Sequence, residues 1–70
     1  MNNLKLNMNI YDYNTLNKTA LAFRTIAQVY ISVEGSYYVC TFNKLTYDAK
    51  TTMAEFENYA IDLINQRRNI

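Results

Sequence analysis

Apolar and polar residues alternate at the start of the chain. Within residues 4–10, apolar side chains occupy every second position between lysine and asparagine: Leu4, Leu6, Met8 and Ile10. A period of two predicts a β-strand with one buried face. Asparagine is unfavourable within strands, so an edge strand is predicted rather than a central one.

The apolar spacing becomes helical between Tyr13 and Ala27. Apolar residues recur there at intervals of four, three and four, at Leu16, Ala20, Phe23 and Ala27. This pattern predicts an amphipathic helix. Asp12 or Asn14 is the predicted N-cap, because a short side-chain oxygen can accept hydrogen bonds from the first turn. Leu21 lies away from the stripe and is either an isolated surface residue or a partner contact.

Two further alternating segments, residues 28–34 and 37–43, flank Gly35, the only glycine in the chain. They predict a β-hairpin, in which a Gly35-Ser36 type II′ turn places the positive φ on glycine. Three pairs then share one apolar face: Val33 with Tyr38, Ile31 with Cys40, and Val29 with Phe42. A Glu34-Gly35 turn is the alternative, and it would shift the pairs without changing which residues share a face.

The opposite face of the hairpin mixes aromatic and polar residues. Two helices can cover only one face of so small a sheet, so this face is predicted to meet solvent or another protein. Tyr30, Tyr37 and Val39 are its candidate contact residues, because Tyr is enriched at the centres of interfaces. The alternative is β-propensity alone, since Tyr fits any half-exposed strand.

A second helical pattern follows a polar connection at residues 46–51. The segment 52–55 reads Thr-Met-Ala-Glu and matches a capping box, which predicts a helix that begins at Thr52. Its predicted buried stripe comprises Met53, Phe56, Ala60, Leu63 and Ile64. Glu55, Asn58 and Asp62 lie on the opposite face and form a second candidate partner surface. Basic residues close the last turn, where they favour the helix dipole: Arg67 and Arg68.

These elements predict a single domain over residues 1–70 with an α+β fold in the order βαββα. Both helices are expected on one face of a small antiparallel or mixed sheet, giving two layers. A chain of this length buries only about 60% of the surface of its unfolded form. We therefore expect a partner or a second copy to add stability.

Composition narrows the functional classes. Seven basic and six acidic residues give a formal charge of +1, and histidine is absent. So small an excess of positive charge argues against nucleic-acid binding. No apolar run approaches the roughly 20 residues that span a bilayer, and the N-terminus lacks an apolar signal core. Cys40 has no second cysteine to pair with, so a reducing cytoplasm is the predicted location.

The sequence predicts no enzyme, metal site or cofactor. Cys40 lacks a histidine base, and on the predicted inward face it would be a small buried hydrophobe. Glu55 and Asp62 are two helical turns apart, roughly 10 Å along the helix, which separates them too far for an acid/base pair. A sheet edge, in contrast, can accept an extended peptide through main-chain hydrogen bonds and needs no special residues.

Three short motifs accompany this order of elements: Ile10-Tyr11-Asp12-Tyr13, Val29-Tyr30-Ile31-Ser32-Val33, and Glu55-Phe56-Glu57-Asn58 followed by Ile61-Asp62. With them the chain resembles, from about residue 8 onwards, the small HxsD-like proteins of His-Xaa-Ser peptide-modification systems. Near the end of the last helix it has Asn65-Gln66 where that family has a Leu-Arg pair. The resemblance implies an accessory protein that acts beside a radical S-adenosylmethionine maturase and helps to deliver or hold a ribosomally made precursor peptide.

Two hypotheses follow. In the first, the protein is a non-catalytic peptide-recognition or maturase-partner protein that binds the peptide at a sheet edge. In the second, it is a structural homodimer whose open sheet face packs on its twin and which has no peptide ligand. Neither hypothesis involves a nucleic acid, a membrane or a cofactor.

Overall fold

The computed structural model describes residues 2–68 and confirms the α+β fold in βαββα order. The elements are β1 (Asn2–Asn7), α1 (Tyr13–Ala22), β2 (Gln28–Glu34), β3 (Tyr37–Asn43) and α2 (Ala49–Arg68). The three strands form an antiparallel sheet in the order β1-β3-β2. The central strand is therefore β3, and β1 lies at an edge as predicted.

The hairpin has the predicted register. Val33 pairs with Tyr38, and the pairs Ile31 with Cys40 and Val29 with Phe42 follow in step. Gly35 has φ +59°, whereas Ser36 is not among the residues with positive φ. Glycine at the first central position with positive φ is the arrangement of a type II′ turn. The Gly35-Ser36 alternative is thus the correct one.

β1 ends at Asn7, three residues before the predicted end. The Asn7 carbonyl accepts hydrogen bonds from the N–H groups of Ile10 (3.0 Å) and Tyr11 (2.9 Å), and its side chain accepts one from the Asn9 N–H (2.8 Å). Asparagine readily makes such turns, and here the turn overrides the apolar alternation. Ile10 is consequently half-exposed, and Tyr11 enters the core instead.

α1 is shorter than predicted because it ends at Ala22 rather than Ala27. Phe23 to Ile26 form turns, and Phe23 and Ala27 are nevertheless buried as expected. Asp12, not Asn14, is the N-cap: its carboxylate accepts from the Thr15 N–H (3.2 Å).

α2 begins at Ala49, so the predicted capping box at Thr52 is wrong. Asp48 takes the capping role, because its carboxylate accepts from the Thr51 N–H (2.9 Å) and hydroxyl (3.0 Å). Thr52 lies inside the first turn, where its hydroxyl donates to the Asp48 carbonyl (2.8 Å). Asp48, three residues before Thr51, therefore caps the helix in place of the predicted capping box of Thr52 and Glu55.

Both helices pack on the same face of the sheet. Phe56 of α2 contacts Phe42 of β3 edge-on, with ring centroids 5.1 Å apart, and meets Phe23 at 5.4 Å. The predicted stripe of α2 faces this core, with Phe56, Ala60 and Ile64 buried and the flanking members half-buried.

The end of α2 is tied to the start of α1. Arg67 pairs with the Asp12 carboxylate at 2.6 Å, so it contacts the N-cap of α1 in addition to any effect on its own helix dipole. The side chain of Arg68, predicted to close the same turn, lies outside the described part of the structure.

Candidate functional site

The two predicted partner surfaces lie on opposite layers of the domain. Tyr30 on β2 and Tyr37 and Val39 on β3 share the sheet face that the helices leave open. The second surface comprises exposed residues on the outer side of α2: Glu55, Asn58 and Asp62. One globular partner of ordinary interface size would therefore contact one set or the other.

Val39 offers little contact surface, although it lies on the open face. It is only 7% exposed, whereas Tyr30 and Tyr37 are 54% and 41% exposed. Lys5 of β1 faces Val39 across the strand pair, and its Nζ reaches the Glu34 carboxylate of β2 at 3.0 Å. This ion pair therefore spans the central strand. Its two partners are 29 positions apart, and only the strand order brings them together.

The free edge of β2 exposes the backbone N–H and C=O groups of alternate residues. In a hairpin with a two-residue loop, Glu34 and Tyr37 exchange hydrogen bonds, and every second pair along the strands does the same. The residues between those pairs direct their N–H and C=O groups away from β3. On β2 these residues are Val29, Ile31 and Val33, and the sheet formed by residues 2–68 has no strand beyond them.

The free edge of β1 has a different character. The Met8 N–H donates to the Ser36 carbonyl (3.0 Å), which fixes the alternation so that Asn3, Lys5 and Asn7 direct their backbone groups outward. The Asn7 carbonyl is already occupied by the following turn. Lysine and asparagine on an edge are unfavourable for pairing with another strand.

A groove of about 510 Å³ lies between α1 and the start of β2. Its apolar lining includes Ala20, Leu21 and Val29, and its polar lining includes Arg24, Gln28 and Lys44. Leu21 is 55% exposed and lies on the wall of this groove.

Arg24 and Lys44 give this groove a positive charge, and its lining contains no acidic residue from the described part of the chain. Arg24 is held in place by a hydrogen bond from its Nη1 to the Leu21 carbonyl (2.8 Å). The predicted hairpin register contained a signal for this pair of basic residues. Gln28 lies opposite Asn43, so Lys44 is brought to the start of β2, close to Arg24 just after the end of α1.

Lys44 has a strained backbone. Its φ of +51° is the only positive value at a non-glycine position in the described chain. A left-handed conformation costs an ordinary residue roughly 1–2 kcal/mol, so glycine or asparagine is favoured at such sites. Lysine at this position carries that energetic cost, and it lies next to the groove.

Two side chains of the core, Cys40 and Tyr11, have raised pKa values. Burial raises the pKa of the Cys40 thiol to about 11, so it is protonated at neutral pH. Burial, followed by the charge of Glu57, raises the pKa of Tyr11, whose hydroxyl lies 3.4 Å from that carboxylate. Within residues 2–68 no three His, Cys, Asp or Glu side chains are arranged to hold a metal ion.

Helices in the described chain lack the combination of length and apolar character that crossing a membrane requires. Comparison with protein-family models, with curated proteins and with solved structures found no match.

Proposed function

We propose that this protein is a non-catalytic peptide-recognition protein that binds an extended peptide along the free edge of β2. The observation that carries the proposal is the outward-facing backbone of Val29, Ile31 and Val33, which pairs with no strand within residues 2–68 and lies beside an open groove. Main-chain hydrogen bonds along such an edge supply affinity, and pockets for alternate side chains supply specificity.

The side chains of β2 favour an added strand. The segment contains Val29, Ile31 and Val33 in alternation with Tyr30 and Ser32, a composition with high β-propensity and no proline. Val33 is 66% exposed at the rim of the sheet, although its side chain points to the helix-covered face. An added strand would cover part of this apolar surface.

The HxsD-like resemblance suggests the biological setting of this binding. In that setting the peptide is a ribosomally made precursor, and the partner enzyme is a radical S-adenosylmethionine maturase. We assign one of two surfaces to the maturase: the open sheet face with Tyr30 and Tyr37, or the outer side of α2 with Glu55, Asn58 and Asp62. Our proposal places the protein in the cytoplasm, with no cofactor of its own and no nucleic-acid or membrane partner.

A structural homodimer through the open sheet face is the second candidate. The exposure of Tyr30 and Tyr37 favours it, because paired aromatic residues are common at interface centres. The Lys5–Glu34 ion pair on the same face opposes it, because face-to-face packing would remove two charges from water. We therefore rank it below peptide binding at the edge.

Titration of the ¹⁵N-labelled protein with the leader segment of a neighbouring precursor tests the proposal. The expected result is a set of amide shifts and slowed hydrogen exchange at Val29, Ile31 and Val33. A titration without shifts along β2 counts against the proposal. A gene neighbourhood without a radical enzyme and a short precursor would weaken the assigned setting.

Light scattering on the wild type and on Tyr30→Glu tests the dimer. The homodimer hypothesis expects a mass of twice 8.2 kDa that falls to a single chain in the variant. A monomer in both cases removes that hypothesis and leaves edge binding untouched.

A further inference from the structure

We infer that the groove between α1 and β2 selects an acidic peptide, whose carboxylates meet Arg24 and Lys44 at the Gln28 end of β2. The inference rests on the proposed function, because it requires an extended peptide on the β2 edge. It adds the chemical class of the ligand.

The charges that line the groove support this choice. Arg24 and Lys44 are both exposed, and neither has an acidic partner among the described ion pairs. The acidic residue on β2 itself, Glu34, lies at the other end of the strand and already pairs with Lys5. A peptide on this edge would therefore meet uncompensated positive charge at one end, and opposite charges steer association.

The strand geometry determines which peptide side chains enter the groove. Side chains of an added strand alternate between the two sheet faces, so every second one points to the side of α1. These side chains meet Leu21, Ala20 and Val29, which favours apolar residues. The others lie beside Tyr30 on the open face. The expected ligand alternates apolar and other residues and carries Asp or Glu at the end that reaches Lys44.

The backbone conformation of Lys44 adds a further observation at the same residue. Its left-handed conformation is unfavourable for lysine, and glycine would relieve it. Residues in sparsely populated backbone conformations cluster at active sites and ligand-binding segments. In our proposal, Lys44 presents its ammonium group to a ligand in the groove.

Selection from a phage-displayed library of random peptides tests the inference, with peptides long enough to span the seven residues of β2. Three versions of the chain serve as targets: the wild type, the double variant Arg24→Glu/Lys44→Glu, and the control Lys18→Glu/Lys50→Glu. The control makes the same change in net charge with exposed lysines that do not line the groove. Selected peptides are then titrated into ¹⁵N-labelled protein.

We expect Asp or Glu at one end of the peptides that the wild type and the control select, and Lys or Arg there with the double variant. Lys44→Gly alone relieves the left-handed backbone but removes one charge. It should weaken the affinity for the selected acidic peptide roughly two- to fivefold, as for the loss of one exposed ion pair.

Two different failures can be told apart. If peptides bind with amide shifts at Val29, Ile31 and Val33 but without charge preference, or if the double variant keeps the acidic preference, the inference is overturned and the proposed function stands. If no peptide is selected, or if the selected peptides leave those amides unchanged, the proposed function falls as well.

Discussion

The two outer strands of this sheet, β1 and β2, differ in the residues along their free edges. β1 directs the backbone groups of Asn3, Lys5 and Asn7 outward, and the Asn7 carbonyl already accepts hydrogen bonds from the following turn. β2 presents Val29, Ile31 and Val33, with a positively charged groove beside it. Small proteins protect edge strands with charge and turns, because an unprotected edge pairs with other chains. This difference is the basis on which we propose β2, and not β1, as the edge that binds a peptide.

The two borders are joined to the rest of the domain in different ways. The β1 side continues through the Asn7 turn to Asp12, which caps α1 and pairs with Arg67 of α2. The β2 side is joined to its surroundings by the hairpin, by the packing of Val29 and Ile31 against the core, and by the hydrogen bond from the Thr46 N–H to the Ile26 carbonyl (2.8 Å).

Proline substitutions at adjacent positions of β2 should give the largest difference in stability. Ser32→Pro removes an N–H that points to β3, and we expect a loss of about 3 kcal/mol in the free energy of unfolding. Val33→Pro removes an N–H that points outward and should cost about 1 kcal/mol or less. Urea unfolding of both variants measures the difference, and Ser32→Ala is the control for the hydroxyl. Equal losses for the two prolines would mean that the outward direction is wrongly assigned.

The capping network on the β1 side gives the next largest effect. Asp12→Ala should lower the free energy of unfolding by about 1–2 kcal/mol at neutral pH, because α1 loses its N-cap and Arg67 loses its partner. Asp12→Asn keeps a capping oxygen and should lose less. Hydrogen exchange should accelerate at the first turn of α1 and leave β2 unchanged. Acceleration along β2 instead would contradict the separation of the two borders.

The same carboxylate makes stability depend on pH. The hydrogen bond from the Thr15 hydroxyl, with further contributions from Arg67, lowers the pKa of Asp12. A lowered folded pKa gives stability that is present above the unfolded pKa of about 3.9 and is lost as the pH falls through the folded value. The difference in stability between the wild type and Asp12→Asn should therefore shrink below about pH 4. A difference that grows on acidification would contradict this assignment.

Lys44→Gly should raise stability by about 1 kcal/mol or slightly less, because glycine adopts the left-handed conformation without strain. Lys44→Ala keeps a Cβ at the same φ and should give no such gain. Thermal unfolding of the two variants measures the difference. A destabilised Lys44→Gly protein would show that the lysine contributes to the fold, and the argument for its role in the groove would lose its basis.

Removal of the charge on β1 should have the smallest effect on stability. The Lys5–Glu34 pair is well exposed, so Lys5→Thr should change the free energy of unfolding by no more than about 0.5–1 kcal/mol, and less in high salt. Lys50→Thr is the matched control. Because threonine favours strand pairing and removes a charge from the edge strand, Lys5→Thr should increase self-association in light scattering. A variant as monomeric as the control would show that the Asn7 turn alone closes this edge.

The hairpin, and the face on which each of its residues lies, could be predicted because Gly35 marks the turn. The choice of the Gly35-Ser36 turn, and with it the register, comes from the structure. The ends of β1 and the start of α2 could not be predicted, because Asn7 and Asp48 compete locally with patterns that fit the sequence equally well. The open sheet face could be predicted from the number of helices available. The ion pair over Val39 and the groove beside β2 depend on the strand order, which the alternation of residues does not determine.

Nuclear Overhauser contacts between a bound peptide and the labelled protein test the central claim most directly. We expect contacts from the peptide backbone to the amides of Val29, Ile31 and Val33. The amides of Asn3, Lys5 and Asn7 on β1 should show none. The contacts should be lost in Val33→Pro. Contacts along β1, or a peptide that binds Val33→Pro as tightly as the wild type, would contradict it.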